Sequence, residues 1–333
     1  MKLATYRDGS RDGQLVVVSR DLSQACYANG IATRMRELLD DWGFVAPQLE
    51  ALSQALNQGR ARHAFAFDPR QCMAPLPRPA CWLSAAAYPA STERLRGLGL
   101  ALPEPGTDAP WQAGGSERLL GATEALGGVL AAHELDLEPQ LVMVCGDIAQ
   151  GAEPGQALEG VRLLGLGCAW VARALQRLEL QRGQPALHSR PALSFAPVFV
   201  TPDELGLAWA QGRARLALHW MWNGRKLGRA TLDEGQRWGG GELLAQLARS
   251  RPLAAGSLVG LGCPAGDPAC LADLQARETA DRGDARTGAL QPGDSLHILL
   301  KNADGDTPFG VLDLDLVDPA ADLAPTETGG TSP

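Results

Sequence analysis

The sequence predicts an α+β fold in which strands outnumber helices. After residue 140, short apolar runs alternate with turn residues, a pattern typical of antiparallel strands joined by short connections. Asn223-Gly224 and the segment NADGD at 302–306 have the chemistry of tight hairpin turns. Helical periodicity is sparser and is clearest in GGGELLAQLARS at 239–250. We therefore expect a strand-rich α+β protein.

The N-terminal part is predicted to form a small β-rich domain. KLATYRDGSRDGQLVVVSRD at 2–21 predicts a hairpin, because two apolar runs flank a turn rich in Asp and Gly. Two helical patterns follow, at about 31–41 and 46–58. The proline-rich segment DPRQCMAPLPRPACW at 68–82 is typical of an extended linker. We place a domain boundary near Pro75, with domains at 1–75 and 76–318.

The larger domain is predicted to contain most of the strands. A strand that ends in the apolar run Leu141 to Val144 comes first, and a helix is expected to start near Trp170. Further strands are predicted at 161–167, 197–200, 216–221, 257–261, 295–300 and 310–316. The segment at 98–115 has the composition of a long surface loop. The tail at 319–333 lacks apolar periodicity, and we expect it to be disordered.

Composition and charge exclude several classes of partner and site. The 333-residue chain has a net charge of -8 and scattered basic residues, so we expect neither a nucleic-acid nor a membrane partner. No apolar leader or long apolar run is present, which predicts an unexported, cytoplasmic protein. The seven cysteines include no C-x-x-C pair and the five histidines are far apart. This argues against a zinc site and against a disulfide framework.

One strand carries acidic residues in an unusual pattern. In HELDLEPQLVMVCGD at 133–147, residues two apart on a strand share a face, so Glu134, Asp136, Glu138 and Gln140 would point the same way. Such a face is a candidate metal site, although Gln140 occupies a position at which a further acidic ligand would be expected. The simpler interpretation is a solvated acidic face at the end of a strand.

Two alternatives for this strand remain open. Pro139 cannot donate a ladder hydrogen bond, so it could make the strand an edge or introduce a bulge. In that case Asp136, Glu138 and Asp147 could form a shifted acidic cluster.

Several segments, taken together and in order, resemble the fumarylacetoacetate hydrolase family. YRDGSRDGQLVVVSRDLS and CMAPLPRP are similar to the opening and the linker of bacterial members. DLEPQLVMVCGD is similar to the family strand D-F-E-x-E-[LV]-A-V-V-x-G, and CAWVARALQ to N-D-W-S-A-R-x-x-Q. SRPALSFAP is similar to S-K-x-x-x-x-F-S-P, and PGDSLHILLKNADGDTPFGVLD to the closing hairpin. The resemblance covers nearly the whole chain and implies a β-rich N-terminal domain followed by a mixed β-roll domain, usually dimeric.

The resemblance implies a divalent-cation site from which the usual ligands are missing. Family members hold Mg²⁺ or a similar ion with four carboxylates, and use it to cleave, decarboxylate or isomerise β-dicarbonyl or 2-keto acids. The four positions fall on Ser84, Glu138, Gln140 and Ala169, with the register of Ser84 open by a residue or two. Only Glu138 keeps a carboxylate, so we predict no cofactor.

The family's other catalytic positions are also substituted. The lysine falls on Arg190, which cannot exchange a proton at usable pH, and the threonine that follows it falls on Leu193. In weaker matches, the catalytic histidine falls on Ser91 and its acidic partner on Asp273. A serine is a poor general base near neutral pH. Gln176 retains the position of the glutamine that contacts substrate.

Three functional readings remain open from the sequence. The first is an inactive family member that serves as a binding or assembly partner, and the second is a hydrolase with a rebuilt, divergent site. The third is a protein that binds a small organic acid through Arg190 and Gln176, with Arg173 nearby. A packed, structural arginine is the alternative to that site. The segment HWMWNGRK at 219–226 could likewise be a stacking platform, although cross-strand packing is the commoner use of such aromatics.

We also expect the charge of Glu138 to be met by a cation such as Arg190, because too few hard ligands remain to compete with the hydration shell of a dication.

The resemblance further predicts a homodimer, since the family's β-roll uses an extensive two-fold contact and the apolar C-terminal strands are retained. Light scattering at micromolar concentration should give twice the monomer mass, and a compact monomer would contradict the prediction. A heterodimer with an intact paralogue is a further hypothesis. Co-expression of the two chains with different tags would test it, and failure of either chain to retain the other would remove its support.

Overall fold

The computed structural model describes residues 1–317 except 98, 101, 103–105, 118, 127–132, 185, 187, 265 and 267. The N-terminal strands are β1 (Lys2–Tyr6), β2 (Gln14–Val18), β3 (Gln24–Tyr27) and β4 (Phe65–Ala66). They are followed by β5 (Cys81–Ala85), β6 (Trp111–Ala113), β7 (Leu119–Leu120), β8 (Leu135–Cys145), β9 (Val161–Ala172), β10 (Ala192–Phe195) and β11 (Phe199–Val200). The last group is β12 (Trp209–Ala210), β13 (Arg213–Ala214), β14 (Ala217–Trp222), β15 (Arg225–Thr231), β16 (Ser257–Gly260), β17 (Ser295–Lys301) and β18 (Val311–Asp315).

Helices are fewer and lie around the sheets. They are α1 (Met35–Asp40), α2 (Trp42–Asn57), α3 (Pro89–Gly97), α4 (Pro154–Glu159), α5 (Arg173–Gln181), α6 (Gly240–Ala248) and α7 (Leu271–Arg282). Two 3₁₀ segments occur at Pro69–Gln71 and Pro202–Ala208. The expected strand-rich α+β fold is thus confirmed.

The main sheet is mixed and joins both halves of the chain. Its strands follow the order β4-β3-β2-β1-β11-β9-β8-β16-β5-β6, and β10 adds to β9 and also pairs with β7. The N-terminal strands enter through β1, where Lys2 pairs with Val200 and Leu3 with Phe199 of β11. The predicted N-terminal β-rich region is therefore continuous with the strands that follow it.

The β8–β9 pair forms the centre of the sheet. Its antiparallel register runs from Leu135 opposite Ala172 to Cys145 opposite Val161, with one irregularity next to Cys145. Every residue of β8 is buried. Any charged side chain on β8 must therefore find its partner inside the protein.

A second sheet, in the order β15-β14-β17-β18, is formed by the C-terminal hairpins. The predicted turns at Asn223-Gly224 and at 302–306 connect its strands. Trp220 of β14 is buried and donates its indole N–H to the carbonyl of Pro268 at 2.7 Å. This contact favours packing over a stacking platform for Trp220.

The bounds of two predicted segments differ from the structure. The helix expected near Trp170 begins at Arg173, because β9 continues to Ala172 as the partner of β8. The segment at 98–115 is not a loop throughout, since Trp111–Ala113 forms β6 and pairs with β5. Residues 98, 101 and 103–105 of that segment, and the predicted disordered tail at 319–333, lie outside the described residues.

No helix within the described ranges is both long and apolar enough to cross a membrane.

Close packing in β9 makes a prediction about stability. A Cβ atom added at Gly165 would lie 2.3 and 2.4 Å from ring carbons of Phe199, which is fully buried and meets Phe195 edge to face. Gly165→Ala should therefore lower the free energy of unfolding by about 1–3 kcal/mol. Gly155→Ala in α4 is the control, because nothing lies within 4 Å of its added Cβ. Urea unfolding followed by circular dichroism measures both variants, and equal midpoints would contradict the packing at Gly165.

Candidate functional site

The candidate site is a cavity of about 540 Å³ on the β5–β8 side of the main sheet. Polar side chains on its wall include Ser84, Ser91, Gln112, Gln176 and Ser189. Leu95, Leu102, Trp111 and Leu180 supply much of its apolar surface. The carboxylates that line it belong to Glu138 and Glu179. Size and lining both suit a small organic molecule.

The alternating residues of β8 place three polar side chains on one face. Asp136, Glu138 and Gln140 share that face, as the sequence predicts, but they are only 2, 5 and 1 % exposed. The interpretation as a solvated acidic face is therefore wrong. Because β8 is a central strand, these groups have to be satisfied by other protein groups.

Glu138 is held by two arginines. Its Oε2 accepts from Nη2 of Arg190 at 2.5 Å, and its Oε1 lies 2.9 Å from Nη1 of Arg173. The expected ion pair between Glu138 and Arg190 is thus present. Burial alone would raise the pKa of Glu138, but the two guanidinium groups outweigh it and lower that pKa to about 2. The carboxylate remains ionised at neutral pH.

Arg173 connects Glu138 to a second buried carboxylate. Its Nε and Nη2 lie 2.8 and 2.7 Å from Oδ2 of Asp136, and its Nη1 also donates to Oε1 of Gln176 at 2.9 Å. Asp136 further accepts from the backbone N–H groups of Leu271 and Ala272 at the start of α7. Burial would lower the pKa of Arg173, but the carboxylates raise it more. Two carboxylates and two guanidinium groups give the network no net charge.

Gln140 is fixed by neutral hydrogen bonds. Its Oε1 accepts from the hydroxyl of Ser84 at 2.8 Å and from the N–H of Gly262 at 3.0 Å. Its Nε2 donates to the carbonyl of Glu138 at 3.4 Å. The structure therefore brings together Ser84, Glu138 and Gln140, three of the four positions that the resemblance implies for a metal site.

Ala169, the fourth position, lies directly opposite Glu138 in the β8–β9 ladder. Directly paired residues of antiparallel strands share a face, so the small Ala169 side chain lies beside Glu138. Leu193 pairs with Ala169 from β10 and is fully buried. Arg190 precedes β10 and contacts Glu138, but Arg190 is not among the residues that line the cavity.

Ser91 and Asp273 lie on different helices and have different surroundings. Ser91 is on α3 and lines the cavity. Asp273, in the first turn of α7, is ion-paired with Arg94, one turn after Ser91 on α3. Asp273, the acid that the resemblance pairs with the catalytic position, thus links α7 to α3 through an ion pair.

The shifted acidic cluster is not formed. Asp147 accepts from the backbone N–H of Ala255 on the surface, and Arg173 separates Asp136 from Glu138. Pro139 creates neither the predicted edge nor a bulge, since it pairs with Cys168 in regular register within a central strand.

Sequence reasoning missed two buried groups near the cavity. Ser189 is fully buried and its hydroxyl has no hydrogen-bond partner among the described residues. Glu179 accepts from the backbone N–H groups of His188 and Ser189. The one available signal was that Glu179 follows Gln176 by three residues, so both lie on the same face of α5.

Comparison with protein families identifies the chain. The model of the fumarylacetoacetate hydrolase C-terminal domain matches residues 87–313, and that of fumarylacetoacetase N-terminal domain 2 matches residues 1–78. The chain belongs to the fumarylacetoacetate hydrolase family. A search of the curated proteins returns no match.

Solved structures share the fumarylacetoacetate hydrolase fold at low sequence identity. A putative HpcE protein from Mycobacterium smegmatis is 20% identical, with a TM-score of 0.68 and coverage of 96% of this chain and 99% of that one. A probable 2-hydroxyhepta-2,4-diene-1,7-dioate isomerase from Mycobacterium abscessus is 18% identical at TM-score 0.66, with the same coverage. Maleylpyruvate hydrolase from Sphingobium sp. SYK-6, in complex with manganese(II) and pyruvate, is 16% identical at TM-score 0.63, again with 96% and 99% covered.

The side chains at the family's metal position do not fit a divalent cation. Both oxygens of Glu138 already contact guanidinium groups, and Ser84, Gln140 and Ala169 offer no charge. A dication would lie beside the permanent positive charges of Arg173 and Arg190. Within the described part of the chain, no group of three or more His, Cys, Asp or Glu could hold a metal ion.

The buried network predicts a pH-dependent effect of Glu138→Gln. This change leaves two buried guanidinium groups without their shared carboxylate, so it should cost about 3–5 kcal/mol of unfolding free energy at pH 7. The pKa of Glu138 is lowered by folding, so its contribution to stability is fully present above pH 4.5. It is lost as the pH falls towards 2. Wild type and variant should therefore differ less at pH 3 than at pH 7.

Chemical denaturation of both proteins at pH 7, 5 and 3 measures this difference. Glu159→Gln is the control, because Glu159 is exposed and belongs to no ion pair among the described residues; its effect should stay within about 0.5 kcal/mol. A Glu138→Gln effect that is below about 1 kcal/mol, or independent of pH, would contradict a paired, ionised Glu138.

Proposed function

We propose that this chain is a non-catalytic member of its family that binds a small organic molecule without a divalent cation. The observation that carries the proposal is the double pairing of Glu138, whose two oxygens contact Arg190 and Arg173. A dication at Glu138 would compete with these buried contacts and would lie beside two permanent positive charges. Loss of either contact would leave a guanidinium group buried without its carboxylate.

The cavity supports the binding part of this proposal. Its volume of about 540 Å³ is typical of a small-molecule site, and it has both an apolar surface and uncharged polar groups. The hydrolases and isomerases that share the fold are named for organic-acid chemistry, which motivates testing hydrolysis directly. Ser91 lines the cavity, and Asp273, the acid that the resemblance assigns as the partner of that position, is instead paired with Arg94.

Calorimetry and turnover assays test the proposal together. Titration with millimolar Mg²⁺ or Mn²⁺ should give no saturable heat, because the network is neutral and both oxygens of Glu138 already contact guanidinium groups. Acylpyruvates should be hydrolysed no faster with metal than with chelator. Metal-dependent turnover that disappears in Glu138→Gln would contradict the proposal and favour the alternative of an active hydrolase with a divergent site.

Restoring the family's ligands should make the variant bind metal measurably more tightly than the unmodified chain. Ser84 and Gln140 are in contact and Ala169 faces Glu138, so Ser84→Asp, Gln140→Glu and Ala169→Asp would bring four carboxylates together. Combined with Arg190→Lys, they should give saturable Mn²⁺ binding in the calorimeter. Turnover should remain absent in this variant because Ser91 is not a base. Metal binding by the unmodified chain equal to that of the variant would contradict the proposal.

A further inference from the structure

The charge distribution of the cavity wall is unusual, because the solved structures that share this fold include enzymes named for organic acids. Within the described residues, the wall contains two carboxylates, those of Glu138 and Glu179, and no lysine, arginine or histidine. Two arginines lie directly behind Glu138, namely Arg173 and Arg190. Both contact Glu138, and neither is among the residues that line the cavity.

This distribution is unfavourable for an anionic ligand. A carboxylate that enters the cavity loses its hydration and needs a cation or several strong donors in return. The positive charge of Arg173 is shared between Asp136 and Glu138, so the described network has none to spare. Arg190 has two nitrogens without hydrogen-bond partners among the described residues, but Arg190 is not among the residues that line the cavity.

Uncharged hydrogen-bonding groups are available instead. Ser189 is fully buried, lines the cavity and has a hydroxyl without a partner among the described residues. Gln176 is 2 % exposed and also lines the cavity. Its carbonyl oxygen accepts from Arg173, which fixes the amide so that its N–H₂ group remains as a donor. An unsatisfied buried hydroxyl beside a cavity is a group that a ligand can satisfy.

We propose that the cavity binds an uncharged carboxamide with an apolar body, and that it discriminates against the corresponding carboxylate. The inference rests on the proposed function, which assigns small-molecule binding to this cavity. An amide carbonyl can accept from Gln176 and an amide N–H can donate to Ser189. The apolar body packs against Leu95, Trp111 and Leu180. No charge has to be desolvated on entry, in contrast to a carboxylate.

The first test uses 3-phenylpropanamide and 3-phenylpropanoate, which have the same apolar body and differ in the charged end. Ligand-observed NMR titration at pH 7 should give a dissociation constant of about 1 mM or below for the amide. The acid should bind at least about tenfold more weakly. At about pH 4.5, where part of the acid is protonated, the ratio should fall. Equal or tighter binding of the acid at pH 7 overturns the inference.

Variants test the assigned contacts. Ser189→Ala should weaken amide binding about fivefold without lowering the melting temperature, since the hydroxyl has no partner to lose. Ser250→Ala, at an exposed position, is the matched control and should leave binding unchanged. Gln112→Lys adds a cation to the wall and should raise the affinity for the acid about tenfold. An unchanged amide affinity in Ser189→Ala, or no acid gain in Gln112→Lys, overturns the inference.

The inference and the proposed function fail in different ways. If neither amide nor acid binds, the carboxamide inference is overturned. If the acid is preferred, the inference is also overturned, but small-molecule binding is retained. Metal-dependent hydrolysis of acylpyruvates would overturn the non-catalytic proposal whichever compound binds.

Discussion

The packing around the cavity depends on one electrostatic constraint. The buried ion-pair network of Asp136, Arg173, Glu138 and Arg190 must carry no net charge. Every residue of β8 is buried, so its two carboxylates are tolerated only because guanidinium groups meet them. Arg173 comes from the start of α5, Arg190 precedes β10, and Asp136 also accepts from the first N–H groups of α7. The same interactions that remove the charge therefore fix four separate elements around the cavity.

Much of the fold could be predicted because its signals are local. Alternation, hairpin turns and apolar runs located half of the twelve strands of the main sheet and the strands of the four-stranded C-terminal sheet. The end of β9 was predicted wrongly because GCAWVA at 167–172 suits either a buried strand or the start of a helix. Only pairing with β8 decides between them. Helix α7 was missed because LADLQARETADR is largely polar and its start is capped by Cys270, whose thiol accepts from the N–H of Asp273 at 3.4 Å.

Part of the site was predicted from the sequence. There is a physical reason why some of its contacts could be predicted and others could not. The Glu138–Arg190 contact followed from the loss of the other acidic ligands, since an ionised residue on that strand needs a cation. Burial of Asp136 could not be predicted, because it requires α7, over a hundred residues later, to place its N-terminus there. From the sequence alone, Arg173 could either bind an anionic ligand or be a packed, structural arginine. Arg177, one turn later on α5, pairs with exposed Glu134, so only tertiary position distinguishes the two arginines.

The neutral network also makes a four-carboxylate site difficult to build at these positions one residue at a time. Gln140→Glu alone would add a third buried carboxylate to two existing ones and remove the amide donor to Glu138. Ala169→Asp alone would place a carboxylate opposite Glu138, where the charges of both guanidinium groups are already balanced by Asp136 and Glu138. Each single change adds an unpaired buried charge before any dication can bind, at a cost of several kcal/mol. The pairing of the two arginines with Glu138 therefore makes each single change towards a four-carboxylate site destabilising.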